Sequence, residues 1–493
     1  MATQVFSTEP DKKGQLVTRW LTSGSSTYEV QSFVGQGAYG IVAKCLRMED
    51  KKTVAIKMIK QQSNHKNREL DALKILKSLD PDKCNLVRWY HDFIDKEYVC
   101  LVFEYLDKSL YDFISEKNGQ PLLLMEIRPI VQQLATALNH LKAAGIIHAD
   151  LKPENVMLVN HLQEPYRVKI IDFGLACNIL AARTGSYIQS RFFRSPEIIL
   201  GYPFTEAIDM WSLGCMAASM YLGKWLYPGR SEYDMIKFIT HTQGQLPRKV
   251  LHHGSKTSTF FQSFNTSTTT CWKLKSSEQI HKQTGIQPKE TRSIKLSSLD
   301  GLLHIRTFDS KGPDLTAEKT DVRVFVDMLK GMLHLDATKR MTPNQVLEHQ
   351  FTCMTHLVNR NSQSGYVRAC YSVMKQNDTA PSVSGAAAQR SAQEPESTGT
   401  AQTTDSDSSG WNRNVDVDGN LNTTTAVTRP KHVNEHPARS TSSIKWKMPF
   451  CDSKEHKGSN LDHDTSDHEK SYLHKSSAGP TTSACSSVSH GHM

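Results

Sequence analysis

Gly35-Gln36-Gly37-Ala38-Tyr39-Gly40-Ile41-Val42 constrains the fold of this chain more than any other stretch. Three glycines at G-x-G-x-x-G spacing let a backbone pass close to phosphate oxygens and aim N–H donors at them. The same spacing opens dinucleotide-binding folds, in which a helix follows the last glycine. Here a second strand-like run, Ile41 to Leu46, follows instead, so the glycines are expected at the tip of a hairpin covering phosphate. Residues 28–34, 40–46 and 53–59 are short runs rich in Val, Ile and aromatics, and 98–104 is another strand candidate. After Leu106 the period changes. Ile127, Val131, Leu134, Leu138 and Leu141 share one helical face, and Gly145 is the expected stop. Strands first and helices later predict an α+β chain with a small β-rich N-lobe, a larger helical C-lobe and a cleft between them.

The 493 residues divide into zones. Residues 1–27 are polar and read as a flexible N-terminal segment. Residues 28–352 carry the periodic apolar patterns, with about 253–318 richer in Ser, Thr and Lys and expected to be an insertion with little regular structure. Residues 353–493 are dominated by Ser, Thr, Asn, Asp, His and Gly, too poor in large apolar side chains to offset chain entropy, and are expected to be a mostly disordered tail. The formal net charge is +9, with Lys and Arg spread along the chain. No nucleic-acid module accompanies that charge, so direct nucleic-acid binding is not expected. The ten cysteines show neither C-x-x-C pairs nor zinc spacing, which suggests free thiols in a reducing compartment. There is no apolar N-terminal run and no stretch of about 18 uncharged apolar residues, so neither a signal peptide nor a membrane span is expected.

Three further motifs carry chemistry. In Val54-Ala55-Ile56-Lys57 a lysine follows three apolar strand residues and would point into the cleft towards nucleotide phosphates, with Glu69 as its carboxylate partner on the next helix. In His148-Ala149-Asp150-Leu151-Lys152-Pro153-Glu154-Asn155, Asp150 can accept a hydroxyl proton and orient the oxygen. Lys152 can neutralise charge on a transferred phosphoryl group, and Asn155 can hold a divalent cation. Asp172, in Lys169-Ile170-Ile171-Asp172-Phe173-Gly174, ends an apolar run where an unpaired carboxylate would be costly, and a cation bridging phosphates would satisfy it.

Taken in order, these motifs resemble the signature set of protein kinases. More narrowly, the chain resembles the homeodomain-interacting protein kinases, relatives of the dual-specificity tyrosine-regulated kinases in the CMGC group, over about residues 28–357. The distinctive matches are His148 to Asn155, Pro165-Tyr166-Arg167-Val168-Lys169, Ser186-Tyr187-Ile188-Gln189-Ser190-Arg191, Glu206 to Cys215 and Tyr227-Pro228-Gly229. The resemblance implies a bilobal kinase fold and an ATP- and Mg²⁺-dependent serine/threonine kinase with protein substrates. It implies preference for proline after the target residue, and transcription factors or corepressors as partners in the nucleus or cytoplasm. ATP would lie among Val34, Gly35, Gln36, Gly37, Ala38, Tyr39, Gly40, Ile41, Val42, Ala55, Lys57 and Glu69. Phe103 would close the back of the adenine pocket, and Glu104 to Leu106 would form the hinge. Asp150, Lys152 and Asn155 would be catalytic, and Asn155 and Asp172 would hold the metal. Tyr187 matches the activation-loop tyrosine that such kinases phosphorylate on themselves. Arg191 and Arg194 would flank the substrate loop, Glu197 would pair with Arg340, and Asp209 would anchor the catalytic loop.

The sequence departs from the family pattern in places. Ala149 stands where many kinases have an Arg that reads activation-loop phosphate, a replacement this family shares. Phe192-Phe193 replaces Tyr-Tyr, and Leu175 replaces Ser after Asp-Phe-Gly. Glu69 follows Lys57 by only twelve residues, about one helical turn less than in the relatives. That spacing either trims the start of the helix or weakens the pair, and trimming is the expectation. The alternative to an enzyme is a scaffold that keeps the fold and uses its cleft or tail only for binding.

Overall fold

The computed structural model describes residues 20–37, 40–62, 65–265, 270–360 and 363–378. The Val- and Ile-rich runs pair into one antiparallel sheet: β1 (Trp20–Ser23), β2 (Ser26–Gly37), β3 (Gly40–Arg47), β4 (Thr53–Lys60), β5 (Trp89–Asp95) and β6 (Tyr98–Glu104), in the order β1-β2-β3-β4-β6-β5. Strand alternation sorts the side chains of β4. Val54, Ile56 and Met58 pack with Leu21, Tyr28, Ala43, Cys45, Cys100 and Val102 into a small core on one face. Ala55 and Lys57 therefore fall on the other face, where Ala55 packs against the larger core with Leu101 and Phe103. Helix α1 (His65–Leu76) connects β4 to β5 in sequence.

The sheet begins earlier than the sequence suggested. Trp20–Ser23 and the start of β2 lie inside the segment read as flexible, with Leu21 fully buried and Tyr28 stacked on Phe93 at 5.6 Å. A four-residue edge strand with one fully buried side chain offers too short an alternation to detect. β2 itself runs through two register irregularities, between Val30 and Ser32 and between Phe33 and Gly35.

The second lobe is mainly helical. α2 (Leu110–Glu116) and α3 (Leu124–Ala143) come first, and all five periodic apolar residues of α3 are buried. Gly145 follows with φ +68, the left-handed step that ends a helix. β7 (Ile146–Ile147) pairs with β10 (Cys177–Asn178), and β8 (Val156–Asn160) pairs with β9 (Glu164–Ile170). The His148–Asn155 motif lies between β7 and β8, and Asp172–Gly174 lies between β9 and β10. α4 (Pro196–Ile199), the buried α5 (Ala207–Leu222), α6 (Glu232–Gln243) and α7 (Arg248–His253) follow.

The segment expected to be an irregular insertion is largely regular. It contains α8 (Thr257–Phe260), the hairpin of β11 (Phe261–Asn265) and β12 (Thr270–Leu274), α9 (Ser277–Thr284) and the first turns of α10 (Gly312–Met332). Its Ser-rich composition partly reflects capping. The Ser276 hydroxyl accepts from Gln279 N, and the Gln279 side chain accepts from Ser276 N in return. Beyond α11 (Pro343–Glu348) and α12 (Gln350–Cys353), the start of the expected tail forms α13 (Gly365–Asp378), with Val367 and Cys370 fully buried. From residue 379 onward the tail expectation lies outside the described residues. Among the described residues no helix is long and apolar enough to cross a membrane, and the cysteines are free thiols.

Candidate active site

The cleft is assembled from strand ends and turns of both lobes. From β4, Lys57 Nζ lies 2.8 and 2.6 Å from the two carboxylate oxygens of Glu69 on α1, and 2.8 Å from Asp172 Oδ1. The short connection has therefore not broken the pair. Burial disfavours the Lys57 ammonium, but Glu69 and Asp172 together outweigh it and hold its pKa above the ordinary value. Burial, reinforced by the neighbouring Asp172, pushes the Glu69 carboxyl up against the pull of Lys57. Asp172 goes the other way: burial raises it, but Lys57 and the Gly174 N–H bring it below the usual carboxylate range.

Over the cleft, Val34, Gly35 and Gln36 are exposed, and Ile41 and Val42 are half-buried. Gln36 pairs with Ile41 and Gly37 with Gly40, so the glycines do cap a hairpin. Ala38 and Tyr39, both expected at the nucleotide, lie outside the described residues. Gly40 has φ +148, and a Cβ there would come within 2.4 Å of the Met58 carbonyl, so only glycine fits. Ala55 and Phe103 are paired across β4 and β6, with Phe103 only 9% exposed. Glu104 ends β6, and Leu106, buried, follows in the connection to the second lobe.

Below the cleft, side chains of the connection between β7 and β8 converge on Asp150. Lys152 Nζ donates to Asp150 Oδ2 at 2.8 Å, and Asn155 Nδ2 donates to the Asp150 carbonyl at 2.9 Å and to Oδ2 at 3.2 Å. Ser190 adds its N–H and its hydroxyl to Oδ1 at 3.1 and 2.8 Å. Lys152 also reaches Ser190 Oγ at 3.3 Å. No role for Ser190 is legible in the sequence, since only the fold brings it across to Asp150. The loop is held from beneath. Asp209 accepts the N–H groups of His148 and Ala149 at 2.8 and 3.0 Å, and burial raises its carboxyl pKa. Ala149 and Asp172 both have φ near +60 (63 and 62), a backbone region costly for residues other than glycine. Such backbone persists only where neighbours over-determine it, as Asp209 and the Gln189 N–H, which donates to the Ala149 carbonyl, do here.

The donor set fits a divalent cation shared with phosphates. Both hydrogen bonds that the Asp172 side chain accepts go to Oδ1, and both that the Asn155 side chain makes use Nδ2. That leaves Asp172 Oδ2 and Asn155 Oδ1 as oxygen ligands. Among the described residues no group of three or more His, Cys, Asp or Glu could hold a metal alone. One carboxylate and one amide suit a small cation that takes its remaining ligands from phosphate and water.

Tyr187 is 67% exposed, with the Arg194 guanidinium 4.0 Å over its ring. Burial raises its phenol, but Arg194 and then Arg191 pull it below the ordinary value. Arg194 also holds Glu232 and the Gln189 carbonyl, and Arg191 donates to the Arg230 carbonyl. Phe192 and Phe193 pack against Trp225. Arg340 grips Glu197 through two bonds of 2.5 and 3.0 Å with both side chains buried.

A protein kinase domain family model matches residues 28–352. Over 359 residues the chain is 46% identical to homeodomain-interacting protein kinase 1 of Rattus norvegicus, covering 72% of this chain and 30% of that protein. It is 41% identical over 360 residues to homeodomain-interacting protein kinase 1 of Caenorhabditis elegans, covering 71% and 42%. It is 38% identical over 361 residues to homeodomain-interacting protein kinase 4 of Homo sapiens, covering 70% and 58%. The aligned part thus spans from under a third to somewhat over half of these relatives' lengths. A protein kinase domain implies ATP and a divalent cation, for which this cleft has the donors. The sheet-over-helices fold, the Lys57–Glu69–Asp172 cluster and the family match together place this chain in the protein kinase family, with a kinase domain similar to those of the homeodomain-interacting protein kinases.

Proposed function

We propose that the chain is an ATP- and Mg²⁺-dependent protein serine/threonine kinase, proline-directed, that matures by phosphorylating its own Tyr187. The observation that carries this reading is the Asp150 carboxylate, fixed by Ser190, Lys152 and Asn155 with Lys57 and Asp172 in the same cleft. Bound ATP supplies the phosphoryl group and the cation neutralises its charge. Asp150 orients the incoming hydroxyl and takes its proton. Lys152, already bonded to Asp150, meets negative charge that develops on the transferred group. Lys57 would meet the charge of the remaining phosphates, and Asp172 Oδ2 and Asn155 Oδ1 would hold the cation.

Lysine two residues after the aspartate is the arrangement that favours Ser/Thr acceptors. Arg191 and Arg194 around Tyr187 provide the cations that a phosphotyrosine would need. The relatives are named for interaction with homeodomain proteins. Transcription factors or corepressors are accordingly the partner class for this chain, in the nucleus or cytoplasm.

The test is phosphate transfer from ATP to a Ser-Pro and Thr-Pro peptide library by the full chain, beside Lys57→Arg and Asp150→Asn. Asp150→Asn is expected to lower kcat by about 10²–10⁴-fold, the range of a positioned acid–base group, without unfolding the protein. Mass spectrometry is expected to find phosphate on Tyr187 only in the parent. A folded, ATP-binding parent that transfers nothing would replace this reading with the scaffold one.

A further inference from the structure

Lys169 is a buried lysine that the chemistry above does not use. It sits on β9 three residues before Asp172, and its side chain is 1% exposed. Its Nζ lies 2.7 Å from Asp82 Oδ1 and 2.6 Å from Glu104 Oε1. An ammonium this deeply buried is costly unless its hydrogen bonds are met, and an apolar side chain would fill such a space at less cost. The charge therefore needs a reason beyond packing.

The three residues belong to three different parts of the cleft. Glu104 is the last residue of β6, and Tyr105 and Leu106 continue from it into the second lobe. Asp82 lies on the segment from α1, which carries Glu69, to β5. Lys169 lies on the strand that delivers Asp172. The joint is closed by backbone as well. Glu104 Oε1 accepts the Arg88 N–H at 2.6 Å, Glu104 N donates to the Arg88 carbonyl, and Val87 N donates to the Ile170 carbonyl. Arg88 also pairs with Asp82, and Arg167, paired with Glu164, lies 3.9 Å from Asp82. Three cations thus face three carboxylates, and Lys169 bonds to both Asp82 and Glu104.

We propose that Lys169 is a positioning residue that latches the connection between the lobes and so sets the backbone against which the adenine of ATP lies. The inference rests on the kinase reading of the cleft. Removing the ammonium leaves Asp82 and Glu104 facing each other with one cation fewer. The connection then loosens, and nucleotide binding weakens before catalysis does.

The experiment uses the full chain as parent, Lys169→Met, Glu104→Gln and the double variant. Amide hydrogen exchange is measured over residues 104–109 without nucleotide, together with KM for ATP, KM for a peptide substrate, kcat and Tm. Lys169→Met is expected to speed exchange at 104–107 and to raise KM for ATP by roughly five- to tenfold, about 1 kcal/mol of lost binding. The peptide KM should stay unchanged and kcat should stay within about twofold, because no transition-state contact is lost. The double variant should show less than the sum of the single effects, as coupled partners do. Unchanged exchange with unchanged KM for ATP would overturn the latch. So would losses in kcat and both KM values that merely track a fall in Tm, or failure of both single variants to fold, since the cluster would then be plain scaffolding. An inactive parent would overturn the kinase reading instead, while exchange at 104–107 would still decide whether Lys169 holds the connection.

Discussion

Two of the buried charge clusters among the described residues are built in opposite ways. In the cleft, one ammonium, Lys57, is shared by two carboxylates, Glu69 and Asp172, and the Asp172 side chain remains 28% exposed. In the second lobe, one carboxylate, Asp321 on α10, collects Arg128 of α3 at 2.5 and 2.6 Å, His356 Nε2 at 2.8 Å and the Tyr366 hydroxyl of α13. Arg128 and Asp321 are both fully buried, and the guanidinium also bonds the Phe351 carbonyl and lies over the Phe351 ring. The first cluster is short of positive charge and open on one side, the condition for taking up a cation and phosphates. The second is rich in donors and closed, the condition for holding helices together.

If that contrast is right, matched substitutions separate activity from stability. Arg128→Met leaves a buried carboxylate without its main partner and should cost about 3–5 kcal/mol, seen as a large drop in Tm, with KM for ATP unchanged in the folded fraction. Lys57→Met should abolish measurable phosphate transfer yet cost only about 1 kcal/mol or less. Glu69, whose pKa burial already raises, can take a proton, and Asp172 reaches solvent. Equal losses of Tm in the two variants would remove the distinction.

The cleft was far more legible in the sequence than the second cluster. Lys57, Asp150, Asn155 and Asp172 each sit in a short motif whose spacing carries its chemistry, Glu69 is legible only as a carboxylate on the following helix, and the fold brings them together. Asp209 and the Glu197–Arg340 pair were reached through family resemblance. Arg128 and Asp321 are 193 residues apart and belong to no local pattern, so only the packed helices reveal them. The misread segments share a cause. Leu21 on an edge strand and Val367 with Cys370 on α13 are buried but lie in polar stretches of sequence, where composition outvotes them, and Ser276 is polar because it caps a helix.

Acid sharpens the same comparison. Burial raises the Asp321 carboxyl, but Arg128, His356 and Tyr366 more than offset it, so its folded pKa lies below the ordinary value of 3.8. A depressed carboxylate contributes stability that is complete above the unfolded value and is lost as pH falls through the folded one. Asp321→Asn should therefore be less stable than the parent by about 2–3 kcal/mol near pH 7. That gap should narrow only below about pH 4, near the unfolded carboxylate value. Urea unfolding of both proteins from pH 7 to pH 2 reads this directly. A gap constant over that range would mean that Asp321 holds its neighbours by shape and not by charge.

Tyr366→Phe has the smallest expected effect within the second cluster and bears on where the domain ends. The Tyr366 hydroxyl donates to Asp321 Oδ2 from a helix beyond the matched family segment, and burial with Asp321 nearby pushes the phenol pKa far up. Deleting the hydroxyl leaves Arg128 and His356 in place, so the loss should be about 1–2 kcal/mol, the worth of a hydrogen bond to a charged group. Because Val367 and Cys370 stay buried on the same helix, α13 should loosen and remain docked. Exchange should then rise over 365–378, with kcat and both KM values unchanged. An effect confined to α13 would make it an added clamp on a domain that already closes without it. A loss of Tm as large as that of Arg128→Met would instead make α13 part of the fold's cooperative unit, because removing one hydroxyl would then have released the whole cluster.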